Sequence, residues 1–153
     1  MALAPLPPPL PPPLPAGARK LWRWMPGMRA VRIQSPVFFS EGADPTRLVG
    51  RSYRVIDVRA GTAGEPTVFC SGEAFPASSP AFAPDLTDPA TAGCLLALVR
   101  QAWRDPHAYL APADGWCVGR GARDGIVGEG ATEAEALLAA LAAAPGAAPG
   151  AAP

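Results

Sequence analysis

Residues 88–104 read DPATAGCLLALVRQAWR, and this stretch sets the frame for the rest of the chain. Asp88 can cap a helix with its carboxylate. Pro89 then stands at the first helical position, where its missing amide hydrogen is harmless. Leu95, Leu98, Val99 and Ala102 repeat at i, i+3, i+4 and i+7, which makes one apolar stripe with Cys94 beside it. Asp105-Pro106 ends the helix, because the residue before a proline is driven out of helical geometry.

Toward the C-terminus, His107–Ala111 and Trp116–Gly119 read as a strand pair around a turn at Pro112–Gly115. The loop GRGARDG (119–125) leads to a third short strand, Gly125–Glu129. Thr132 and Glu135 form a T-x-x-E capping box, and Ala134, Leu137, Leu138 and Leu141 make a second apolar stripe behind it. Residues 88–144 are therefore expected to be an α+β module of order α-β-β-β-α. Two helices with one apolar face each need a surface to bury it, and a three-stranded antiparallel sheet supplies that surface in a two-layer or sandwich arrangement. From Pro145 the chain reads PGAAPGAAP, so residues 145–153 are expected to be a disordered tail.

Toward the N-terminus the patterning weakens. Residues 73–87 contain Pro76, Pro80 and Pro84 among small residues and read as a linker. Residues 28–72 read as a β-rich segment. VRIQSPVFF (31–39) is a strand that Pro36 would break or confine to an edge. In YRVIDVR (53–59), Tyr53, Val55, Asp57 and Arg59 fall on one face, with Arg54, Ile56 and Val58 on the other. A third strand, Thr67–Cys70, follows GTAGEP. Residues 1–27 are expected to be a proline-rich disordered tail. PLPPPLPPPLP (5–15) can only be polyproline II, suited to an aromatic groove of a proline-binding domain or to a solvated spacer. GARKLWRWMPG (17–27) alternates cations with Leu21, Trp22, Trp24 and Met25, as a segment touching a membrane or nucleic acid does. It is too short for an interfacial helix, and Pro26 stops it. It is either a tail that lays its tryptophans on the domain or a stretch not made at all, since Met25 and Met28 both stand as candidate starts.

The 153 residues include 21 prolines and 16 glycines, and net charge is zero. That balance hides an asymmetry. Residues 1–60 carry nine basic and three acidic side chains, so they are +6 and the remainder −6. Such a basic half can meet an anionic partner, but it can equally attract the acidic half of its own chain. Cys70, Cys94 and Cys117 form no metal-ligand spacing and no disulfide framework, and fit reduced thiols of a cytoplasmic protein. No run approaches the ~20 apolar residues of a membrane span, and the N-terminus lacks the layout of a secretory signal.

DPATAGCLLALVRQAW, GWCV and GEGATEAEALLAAL together resemble the phage-encoded ABA sandwich domain, over about residues 88–144. That family has a leading helix, a hairpin with a buried aromatic, and a final helix opened by Gly-x-x-Thr-x-x-Glu-Ala. Thr132, Glu135 and Ala136 match the end of that pattern, and Gly128 or Gly130 stands one residue to either side of the place of its glycine, which is Glu129 here. The resemblance implies a phage or prophage origin, no assigned activity and no catalytic residues.

The candidate chemistries are few. Cys117 and His107, with Asp105 or Asp114 as orienter, could form a thiol–imidazole pair. Neither a nucleophile elbow nor a helix N-terminus surrounds Cys117, and it reads instead as a small residue on a sheet face beside Trp116. Gly119, Gly121 and Gly125 with Arg120 and Arg123 make a glycine-rich loop, but it joins two strands, whereas a phosphate cradle opens a helix. The α-β-β-β-α order also occurs in double-stranded RNA-binding domains. Here Glu133 and Glu135 stand where those domains need cations, and repulsion from phosphate argues against RNA. No carboxylates group as metal ligands. The sequence thus points to a protein without catalytic, cofactor or metal residues, whose partner is an unidentified protein. Nucleic-acid binding through the basic half is the alternative, and a cysteine hydrolase the weaker one. The oligomeric state stays open.

Overall fold

The computed structural model describes residues 16–32, 52–61, 64–79, 81–121 and 125–147. The polyproline stretch 5–15, residues 33–39 of the first expected strand, Arg123 and the tail beyond 147 lie outside them. The chain is α+β, and its described residues divide into two compact units, one within 26–85 and the other made of 16–25 with those of 86–147.

The first unit is a five-stranded antiparallel sheet of β1 (Arg29–Arg32), β2 (Ser52–Ala60), β3 (Pro66–Cys70), β4 (Glu73–Pro76) and β5 (Phe82–Pro84), in the order β4-β3-β2-β1-β5. Residues 73–87 are thus not a linker: two of the five strands lie there. Prolines misdirect the reading because they occupy places a sheet tolerates. Pro76 and Pro84 lie on the two edge strands, and Pro66 opens its strand, so no ladder loses a needed donor. The sheet coils until its edges meet. Phe75 of β4 stacks on Phe82 of β5, with ring centroids 3.9 Å apart, and Arg32 of β1 lies 3.9 Å from Glu73 of β4. Met28, Ala30, Val55, Val68 and Phe75 are buried.

Strand β2 departs from strict alternation. Val55 pairs with Cys70, but Asp57 pairs with Phe69 and Val58 with Val68, so Ile56 is the extra residue of a β-bulge. The bulge shifts the period by one. Val58 comes to lie opposite the buried Val68, on the side of Val55, while Ile56 is 60% exposed. The sequence pattern had assigned Val55 and Val58 to opposite faces.

The second unit contains α1 (Ala16–Leu21), α2 (Pro89–Trp103), α3 (Glu133–Ala142) and a three-stranded antiparallel sheet of β6 (Tyr109–Ala113), β7 (Gly115–Gly119) and β8 (Ile126–Gly130). Helix α3 packs on β7 and β8, and both α1 and α2 pack on α3. The β6–β7 turn is tighter than the sequence suggests: Ala113 pairs with Gly115 around Asp114, and Pro112 stays in edge strand β6. Two segments read as tails belong to this unit. Ala18 and Trp24 are buried at one end of the chain, and Ala144 and Ala147 at the other. Gly17 lets α1 come close, since a Cβ there would stand 3.0 Å from the Ala142 carbonyl oxygen.

The start of α2 rests on Asp88, itself 7% exposed. Its carboxylate accepts from the Thr91 amide at 3.0 Å and the Thr91 hydroxyl at 3.1 Å. Asp88→Ala removes the cap and strands both donors, so unfolding in urea should show a loss of about 1–2 kcal/mol. Helix α3 opens with a full capping box. The Glu135 amide donates to Thr132 Oγ1 at 3.2 Å, and the Glu135 carboxylate accepts from the Ala131 and Thr132 amides at 2.8 and 3.3 Å.

Candidate interaction cleft

The side chains considered for catalysis are kept apart or already occupied. A Cβ on Gly121 would collide with His107, so His107 stands across the hairpin from residue 121. Cys117 lies four residues further along, about 13 Å at the usual rise of a strand. Asp114 is at the opposite end of the same hairpin. The Asp105 carboxylate, 3% exposed, accepts from the His107 amide at 3.0 Å and the Gly121 amide at 3.1 Å. It therefore serves the backbone and does not orient the imidazole. Cys70 is no better placed, because burial and then the neighbouring Glu73 carboxylate push its thiol up. Among the described residues, no three His, Cys, Asp or Glu side chains stand together as metal ligands.

The glycine-rich loop is engaged in structure as well. Arg120 lies over the Trp103 ring, 5.2 Å from its centroid, and 3.7 Å from the Asp105 carboxylate. The Gly121 amide that could meet a phosphate already meets Asp105.

What the second unit does offer is a cleft of about 800 Å³, bordered by α1, the segment after it, the C-terminal half of α2 and the turn at Pro145-Gly146. Its more buried lining is apolar: Leu21, Trp22, Leu98, Ala102 and Trp103. Its exposed border is polar and cationic, with Lys20, Arg23, Gln101 and Arg104. The walls are braced. The Trp103 indole N–H donates to the Ala140 carbonyl at 2.8 Å, tying α2 to α3. Arg23 donates to the Gln101 side chain, joining the segment after α1 to α2. Trp22 meets the buried Trp24 edge to face at 4.9 Å. The Trp22 indole N–H is shielded from solvent with no acceptor, the kind of unmet donor that folded proteins seldom keep.

Arg104 is held in an unusual way. It caps α2 in the left-handed region, with φ 51 and ψ 38, and is the one residue other than glycine with positive φ among the described residues. Glycine is the ordinary occupant of such a cap, because a Cβ there costs energy.

The sequence offers Trp22 and Trp24 as part of a tail that either lays them on the domain or is not made at all, and it marks the end of α2 only as a helix stop, so it does not join the two into a cleft. The signal that could have revealed the cleft is the crowding of Trp22, Trp24 and Trp103 into two short segments that share cations. No family model, curated protein or solved structure matches this chain. No helix among the described residues is long and apolar enough to cross a membrane.

Proposed function

We propose that this chain is a small accessory protein of phage or prophage origin that works by holding another protein and carries out no chemistry of its own. The observation that carries the reading is the cleft of α1 and α2: an apolar lining with a polar border, large enough for several side chains of a peptide. The origin rests on the resemblance of residues 88–144 to the phage sandwich domain. Nucleic acid is disfavoured by how the cations of the basic half are used. Arg29 lies 3.8 Å from Asp85, Arg32 is near Glu73, Arg59 bonds Asp57 at 2.6 Å, and Arg54 donates to the Gly27 carbonyl. Arg29, Arg32 and Arg59, set against carboxylates, release few counterions from a phosphate chain, whereas Arg54 on a carbonyl keeps its charge.

Selection of random displayed peptides on the full-length protein tests the reading. Enriched peptides should lose at least about tenfold in affinity to Ala102→Trp, which fills the cleft. Labelled single- and double-stranded DNA should bind weakly and be released near physiological salt. A failure to enrich peptides, with DNA binding that survives that salt, would replace this reading with nucleic-acid recognition through the basic half.

A further inference from the structure

The cleft's charge says what kind of segment it takes, and this step rests on the cleft being a protein-binding site. Five cationic side chains are described in the second unit. Arg100 donates to the Ala108 carbonyl at 2.8 Å, Arg120 is engaged with Trp103 and Asp105, and Arg23 is held by Gln101. Lys20 and Arg104 remain, exposed and with no ion pair to a carboxylate among the described residues, and both border the cleft. Among the described residues, no carboxylate lines it. Asp105, next in sequence to Arg104, is turned away toward the amides of residues 107 and 121. In a chain of zero net charge, spare cations gathered around one apolar lining mark a local preference for anions.

We infer that the cleft binds an acidic peptide segment of a partner protein, with carboxylates on Lys20 and Arg104 and an apolar side chain between Leu21, Leu98 and Ala102. One force opposes this. The carbonyl end of α2 lies at the cleft, and its partial charge of about −0.5 repels carboxylates. Two full positive charges at the same end outweigh it. The conformation of Arg104 fits this assignment. A left-handed cap favours glycine, yet the chain places there the one long cation that reaches the cleft from α2.

The test uses the full chain and a labelled ten-residue peptide alternating glutamate and leucine. Controls are the same peptide with lysine for glutamate, and a ten-base oligothymidylate. The glutamate peptide should bind and weaken with salt, and the lysine peptide should not bind. Lys20→Glu and Arg104→Glu should each weaken binding about fivefold, as exposed pairs of this kind do when reversed. Arg104→Gly gives the decisive contrast: the thermal midpoint should rise while peptide affinity falls, a split that a purely structural arginine would not produce. Equal binding of the lysine peptide, or affinity indifferent to both Arg104 variants, would overturn the assignment. Tighter binding of the oligothymidylate at the same residues would transfer the cleft to nucleic acid. Selected peptides that are neutral or basic yet sensitive to Ala102→Trp would leave the protein-binding reading standing and remove only the acidic preference.

Discussion

Gly128→Ala should lower the stability of the second unit by about 3 kcal/mol or more, although it adds a single methyl group. Gly128 sits on β8 directly under α3. A Cβ there would meet the Ala136 carbonyl oxygen, and would lie 2.5 Å from the Ala140 amide nitrogen and 2.7 Å from the Ala140 Cβ. Two of these are backbone atoms of a helix, which no side-chain rotation can move aside. Helix α3 must lift from the sheet, and with it the buried Leu137 and Leu141. Gly93 provides the control. It lies in α2 with open space where its Cβ would stand, so Gly93→Ala should stabilise the protein by about 0.5–1 kcal/mol through helix propensity. Urea unfolding followed by tryptophan fluorescence measures both. A Gly128→Ala protein as stable as the parent would mean that α3 does not rest on β8.

Trp24→Ala should cost about 3–5 kcal/mol, the range for removing a large buried aromatic. Trp24 is 4% exposed, and its removal leaves a void beside Trp22. The proline-rich tail expected from the sequence would make the same change silent, because a solvated tail holds up nothing. Trp22→Phe should be close to neutral by comparison. It gives up part of a half-buried ring and also removes an indole N–H that has no acceptor. A melting temperature unmoved by Trp24→Ala would return residues 17–25 to the status of a tail.

Where the sequence could be read, a local rule and the tertiary structure agreed. Asp88-Pro89 and Thr132 with Glu135 mark helix starts because caps act over three residues, and Leu95, Leu98 and Val99 are buried along one stripe. Pro76, Pro84 and Pro112 misled because proline reports only that a donor is missing. Whether that donor would have been needed depends on which strands are edges, and edges are a property of the whole sheet. The faces of β2 were lost to one extra residue, Ile56, which leaves no trace in composition. The cleft was illegible for a related reason. Lys20 and Arg104 are far apart in sequence, and that they are the spare cations follows only from seeing that Arg23, Arg100 and Arg120 are occupied.

The route of the chain through the two units carries a consequence for its synthesis. The second unit is left at residue 25 and resumed at residue 86, with the five-stranded sheet strung between. A ribosome therefore delivers that sheet as one continuous piece, which can close while translation proceeds. Helix α1 emerges earlier still but has nothing to rest on until α3, beginning at Glu133, leaves the exit tunnel. During that interval α1 stands bare on the nascent polypeptide, open to whatever chaperone scans it. A product cut short before α3 would hold every tryptophan of this protein and no cleft.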